Sequence, residues 1–273
     1  MLSKFHIFAC ARTSDTETLE RDLFRSPAIA EKMIPRTILW NRKSASSAFA
    51  GALEEATAEF LIFTHCDVYF PKRWFERLGW ELDRLARIDP DWAVAGISSM
   101  TSSGELVGRI WDASLDPISR GLFGKPLTTP VPILSTDEMA FVVRRGANIN
   151  FDPLLPNFHL YGTDIILIAE RAGKRSYGLD MPLIHNAKAQ LNIGRDYVTS
   201  YKYMVQKWRS RLPVPTPCGP ITSNTITPLL RRLRVRYKAR FRPSTYSTQR
   251  ASDPSVKAVE LGLDQILSAP LCK

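Results

Sequence analysis

Three side chains capable of acid–base or metal chemistry flank apolar stretches, two after a strand and one at the start of a helix. Asp67 follows Phe60–Thr64 through His65-Cys66. A carboxylate at the end of a strand rich in Phe, Leu and Ile can hold a divalent cation against a diphosphate. Mg2+ and Mn2+ take oxygen ligands and often share one or two carboxylates with substrate phosphates. Capping of the turn before Pro71 is the plainer alternative, common chemistry for Asp. Asp164 lies in Gly162-Thr163-Asp164, which introduces a helix to about Ala172. An ionised carboxylate there can take a proton from an acceptor hydroxyl. It can equally cap the helix and meet its dipole, worth about 0.3–1 kcal/mol. His185 follows the last predicted strand and is either a neutral imidazole ligand or a hydrogen-bonded structural His. His65 and His159 carry the same ambiguity. The spacings are too long for a local metal motif, so any metal site is assembled by the tertiary fold.

The elements that must position these groups are legible as a pattern. Phe5–Ala11 reads as a strand, and Thr37–Trp40 as a second one followed by Asn41. Ser44 caps a helix in which Ala45, Ala48, Phe49, Ala52, Leu53 and Ala56 recur at helical spacing. Phe60–Thr64 is a third strand. Pro71 opens an amphipathic helix with Trp74, Phe75, Leu78, Leu82 and Leu85 on one stripe. Trp92–Ile97, Glu138–Val143 and Lys174–Asp180 read as further strands, the last ending near Ile184-His185-Asn186. A helix with Tyr197, Tyr201, Met204, Val205 and Trp208 follows, and a short one spans about Val256–Leu267. Residues 98–135 are rich in Ser, Gly and Pro and contain Gly108-Arg-Ile-Trp-Asp112. Alternating strands and helices imply an α/β fold, a mainly parallel sheet flanked by helices. Ligands of such sheets sit outside the carboxyl ends of the strands.

The 273-residue chain has a formal net charge of +10, unevenly spread. Tyr201–Arg250 carries twelve Lys/Arg and no Asp/Glu, which leaves the remainder at −2. A near-neutral body with a basic, Pro-containing extension is expected, divided at 1–212 and 213–273. One-sided positive charge attracts phosphates, nucleic acid or anionic lipid. Four cysteines without CxxC spacing argue against a disulfide framework. No apolar run approaches the ~20 residues of a membrane helix. The first residues loosely mimic a signal peptide, but His6 interrupts a short apolar stretch, and a strand is the better reading. A cytoplasmic protein is expected, peripheral at the inner membrane face if the basic segment docks there.

Together these residues resemble a family. Phe60-Leu-Ile-Phe-Thr-His-Cys-Asp-Val-Tyr-Phe-Pro71 resembles the metal-binding strand end of GT-A-type inverting glycosyltransferases of family two. Phe151-Asp-Pro, then Phe158-His-Leu-Tyr-Gly-Thr-Asp164 and an apolar helix ending in Ala172-Gly173, resembles the acceptor-side motif of that group. Asp180-Met-Pro-Leu-Ile-His185-Asn resembles its closing strand. The likeness covers roughly residues 4–212. It is nearest the streptomycin-biosynthesis-type subgroup, through His65-x-Asp67-Val, Gly-Thr-Asp, Lys207-Trp-Arg and Leu212-Pro213. The resemblance implies a GT-A Rossmann-like fold. It implies Asp67 and His185 as ligands of Mn or Mg, and Asp164 as general base. Asn41 would border the nucleotide, and His65 stands where the first Asp of Asp-x-Asp usually stands. Asp137 and Glu138 would lie near the donor sugar or acceptor, Gly162 and Thr163 beside the base. Arg144 and Arg145 would face phosphate or remain surface cations.

The implied reaction is transfer of a sugar, with inversion, from a nucleoside-diphosphate sugar to a hydroxyl of a saccharide or lipid-linked acceptor, as in polysaccharide biosynthesis. A sugar-1-phosphate nucleotidyltransferase would need a Gly-rich phosphate loop after the first strand, and Ala11-Arg-Thr-Ser-Asp15 has no glycine. A non-enzymatic protein binding nucleic acid lacks a helix-turn-helix, zinc or RNP motif. Leu229–Phe241 alternates apolar and basic residues, a pattern suited to an anionic membrane surface or to a solvated basic helix.

Overall fold

A computed structural model describes residues 2–119, 121–187, 194–230, 233 and 249–269. The chain starts with strand β1 (Phe5–Ala11), helices α1 (Thr16–Arg21) and α2 (Pro27–Ala30), strand β2 (Arg36–Trp40) and helix α3 (Ala45–Glu55). Strands β3 (Phe60–Thr64) and β4 (Val68–Tyr69), helix α4 (Trp74–Ile88) and strand β5 (Val94–Gly96) follow. The Ser/Gly/Pro-rich middle holds two-residue strands β6 (Ser99–Met100), β7 (Leu106–Val107) and β8 (Trp111–Asp112), then helix α5 (Asp116–Ser119). Strands β9 (Val131–Pro132), β10 (Ser135–Thr136) and β11 (Ala140–Arg144) lead to helix α6 (Tyr161–Arg171). Strands β12 (Ser176–Gly178) and β13 (Ile184–His185) precede helix α7 (Arg195–Lys207), and helices α8 (Pro254–Glu260) and α9 (Leu263–Ser268) come last.

The central sheet runs β2-β1-β3-β11-β5-β12-β9. β1 pairs in parallel with β2 and β3, and β5 with β12, while β11 runs antiparallel between β3 and β5. β9 is antiparallel to β12. The sheet is therefore mainly parallel, as the alternation of elements predicts. Its central strands are buried on both faces, which is why they read as continuous apolar runs. Side chains alternate between two cores. Phe5, Ile7, Ile62 and Val142 join α4 on one face; Phe8, Leu61, Phe63 and Phe141 meet α3 and α6 on the other. Ser44 caps α3 as expected, its Oγ accepting from the Ser47 amide at 3.2 Å. The stripe of α4 is fully buried, with Trp74, Phe75, Leu78, Leu82 and Leu85 all near zero exposure. Each such side chain contributes about 1.5–3 kcal/mol.

A small second layer positions the site. β13 lies between β4, antiparallel, and β8, parallel. In that register His185 sits opposite Val68 on one side and Asp112 on the other. Tyr69, Trp111, Ile184, Ala258 and Leu263 form its apolar backing, so α8 and α9 cover the ribbon. The stretch expected as one helix at 256–267 is two, broken at Gly262 in the left-handed region (φ 66°).

The described parts of 213–273 pack on the body. Val214 and Ile221 pair and are fully buried, and Ser135 Oγ donates to the Pro215 carbonyl at 2.6 Å. The basic stretch 229–241 lies outside the described residues apart from Leu229, Leu230 and Leu233, all exposed. Among the described residues no helix is long and apolar enough to cross a membrane.

Candidate metal centre

His65, Asp67 and His185 converge at the carboxyl end of β3, with ligand atoms all within 4.8 Å of one another. His65 is the first residue beyond β3, and its amide donates to the Met139 carbonyl at 2.9 Å. Asp67 immediately precedes β4, and its carbonyl accepts from the Asn186 amide at 2.8 Å. The ribbon thus locks Asp67 and His185 together through backbone pairing. His185 Nε2 lies 3.5 Å from Asp67 Oδ1, and His65 Nδ1 lies 4.0 Å from the same oxygen. Asp112 Oδ2 accepts from His185 Nδ1 at 2.8 Å, and Ser114 donates to the other Asp112 oxygen through its amide.

Burial alone would lower the His185 pKa, but Asp67 and Asp112 outweigh it and hold the imidazole well above its usual range. Burial also works against ionisation of Asp67; the His185 charge and hydrogen bond, with His65 and Arg250, still hold it well below the usual carboxylate range. His65 is pushed down by burial, against the pull of Asp67. An imidazolium held between two carboxylates marks a place where positive charge is favoured. The donor set fits a divalent cation: Asp112 takes Nδ1 and leaves Nε2 facing Asp67, the carboxylate–histidine arrangement common behind metal ligands. Asp112 carried no expectation from sequence. Its only signal was a charged residue closing the apolar Ile-Trp pair, and its role depends on strand register.

The other expected residues fall into three groups. Asp137 lies close enough to the cluster to act electrostatically on His65. The half-buried Glu138 carboxyl is pushed well above its ordinary range by burial and by Asp137, although backbone amides of Leu160 and Gly162 bond it. Asn41 closes the end of β2 in the left-handed region (φ 52°), its Oδ1 accepting from the Thr13 amide at 3.1 Å. It borders a cavity of about 580 Å³ between the β1–β2 edge and α3, which none of the cluster residues line.

Asp164 lies in the first turn of α6, as expected, with its carboxylate engaged inside the protein. It is 1% exposed, Lys207 Nζ donates to it at 2.8 Å, and Trp208 Nε1 at 2.7 Å. Burial pushes its carboxyl up against the pull of Lys207. Lys207 also bonds Asp152 at 2.7 Å, so Lys207-Trp208 clamps α6 to the loop before it. Thr163 is buried, and Gly162 lies so close to Thr136 that a Cβ there would meet its carbonyl at 3.0 Å. Arg144 does not reach the cluster. β11 runs antiparallel, so Ala140 pairs with Thr64 near the cluster and Arg144 with Phe60 at the far end of β3. There it donates to the Pro90 carbonyl and to Asp91. Arg145 pairs its amide with Glu59 at the same far edge. His159 packs edge-on against Tyr197, with ring centroids 5.5 Å apart.

No protein-family model matches the chain. A protein of Fuscovulum blasticum, "ATP synthase subunits region ORF 6", is 29% identical over 164 residues. The match covers 59% of this chain and 64% of that protein's length. Among solved structures, the mannosyltransferase PcManGT from Pyrobaculum calidifontis, in complex with GDP-Man and Mn2+, has a TM-score of 0.44 and 12% identity, covering 98% of this chain and 81% of that one. TarS of S. aureus has a TM-score of 0.41 and 13% identity, covering 74% and 64%.

Proposed function

We propose that the chain is a GT-A-like glycosyltransferase that takes a sugar from a nucleoside-diphosphate sugar and passes it to a hydroxyl acceptor. The observation that carries this reading is the His65–Asp67–His185 cluster at the carboxyl end of a parallel strand, where ligands of α/β sheets bind. Asp67 and His185, with His65 beside them, would hold the cation. Two imidazoles with one carboxylate suit Mn2+ better than the oxygen-preferring Mg2+. A divalent cation there supplies Lewis-acid neutralisation of charge on the departing diphosphate. Asp112 holds His185 in the tautomer that presents Nε2.

In the reaction the acceptor oxygen forms its bond to the anomeric carbon as the bond from that carbon to the diphosphate oxygen breaks. The electron pair leaves with the diphosphate, the acceptor proton moves to a carboxylate, and the configuration inverts. The resemblance assigns that proton to Asp164. We favour Glu138 instead, because both Asp164 oxygens are engaged inside the protein, while Glu138 adjoins Asp137, which acts on His65. Burial and Asp137 raise its pKa, which makes the ionised carboxylate a stronger base than an ordinary Glu.

A thermal-shift plate of UDP, GDP and dTDP with and without Mn2+ tests the reading. At least one diphosphate is expected to raise Tm only with Mn2+, since stabilisation follows ligand affinity. No Mn2+-dependent shift from any of the three would overturn it.

A further inference from the structure

Arg250 lies beyond the stretch that resembles the family, yet it reaches the cluster. Its Nη2 stands 3.8 Å from Asp67 Oδ2, beyond hydrogen-bond reach. Its Nη1 donates to Thr18 Oγ1 at 2.9 Å. Its Nε is buried with no hydrogen-bond partner among the described residues. A guanidinium has five N–H donors in a fixed fork, and leaving buried donors unmet is costly. The Nε donor is thus free to meet an acceptor oxygen beside the cluster.

The neighbouring backbone is held tightly. Asn186 brackets Ala251: its Oδ1 accepts from the Ala251 amide at 2.7 Å and its Nδ2 donates to the Ala251 carbonyl at 2.9 Å. The same Nδ2 donates to the fully buried Asp22 at 2.8 Å, and the Asn186 amide holds the Asp67 carbonyl. Arg25 pairs with Asp253, and α8 and α9 seal the back of the ribbon. Arg250 is therefore fixed relative to Asp67 and His185 by the loops that carry them.

We propose that Arg250, delivered by the C-terminal extension, is a binding residue for the diphosphate of the donor. The planar fork matches phosphate oxygens two at a time, and a nucleoside diphosphate beside the cluster offers one acceptor to the unpaired Nε and a second to Nη2. This rests on the proposed function. It goes beyond that reading by assigning part of the donor grip to the extension, outside the glycosyltransferase-like segment.

The test uses the full chain and whichever of UDP, GDP or dTDP binds the wild type with Mn2+. Arg250→Met is expected to weaken the diphosphate about 10- to 100-fold, the loss for hydrogen bonds to a charged group. The matching nucleoside should bind within about twofold of wild type, and Mn2+ alone at least as tightly, because a cation beside Asp67 has gone. Arg250→Lys, which keeps charge but loses the fork, should fall between. Diphosphate affinity unchanged in Arg250→Met overturns the inference and leaves the proposed function standing. An equal loss for Mn2+ alone or for the nucleoside assigns Arg250 to scaffolding and also overturns it. A wild-type chain that binds none of the three diphosphates overturns both.

Discussion

At His185 a single hydrogen bond decides the chemistry. With Nδ1 committed to Asp112, only Nε2 faces Asp67, so the imidazole has one orientation in which to meet a cation. Asp112→Asn is expected to weaken Mn2+ binding about 10- to 100-fold, the usual effect of losing an outer-shell carboxylate. Calorimetric titration reads this directly, and an unchanged affinity would separate Asp112 from the cation. A second comparison sets Asp164 against Glu138. Asp164→Asn should remove about 1–3 kcal/mol of stability, because Lys207 and Trp208 lose a charged acceptor in the interior. Glu138→Gln should leave stability nearly intact and lower turnover by about 100-fold or more, the scale of general base catalysis. Urea denaturation and turnover measured on both variants would restore Asp164 as the base if the two effects were exchanged.

At the scale of elements, the buried strands were open to reading from sequence and the ribbon was not. β1 and β3 present apolar residues to both cores, so their runs stand out. β4, β8 and β13 have two residues each, too few for a period of two to show. The cluster's own residues were legible because they follow an apolar strand or close one. Asp164 shows the opposite: a carboxylate opening a helix looks the same in sequence whether it faces substrate or a lysine far along the chain. Arg144 depended on the direction of β11, which alternation alone does not give.

The stretch leading into β8 is held by a close glycine turn and by charge. Gly108 has φ 82°, and a Cβ there would lie 1.8 Å from the Ile97 carbonyl oxygen. Arg109 then grips Asp180 through Nε and Nη2, the latter at 2.7 Å. Gly108→Ala should therefore destabilise by at least about 2 kcal/mol, since left-handed strain of about 1–3 kcal/mol adds to the collision. Mn2+ affinity should fall with it as Asp112 shifts. A stable variant with wild-type Mn2+ affinity would show that this turn does not set the ribbon.

Across the whole molecule, ion pairs tie distant segments together and set the response to acid. Asp89 is nearly buried, and Arg175 and Tyr177 donate to it at 2.9 and 3.0 Å. Burial would raise its pKa, but these partners hold it below the ordinary value of 3.8. A depressed carboxylate contributes its full stability above that value and loses it as pH falls toward the folded pKa. Stability should therefore fall with a steepening slope below about pH 4, and Asp89→Asn should flatten that slope in pH-dependent denaturation. An unchanged slope would place the acid sensitivity elsewhere. The extension contributes on the same scale: Leu263 is fully buried against the ribbon, so Leu263→Ala should cost about 2–5 kcal/mol and lower Tm.

The ribbon also sets a timetable for biosynthesis. β13 is the strand that brings His185 to Asp67 and Asp112. A chain leaving the ribosome carries two of those three groups long before the third emerges, and Arg250 arrives later still. The cluster is then incomplete until about two thirds of the polypeptide has been made. A product of premature termination upstream of β13 would hold every strand of the central sheet yet lack the third member of the cluster.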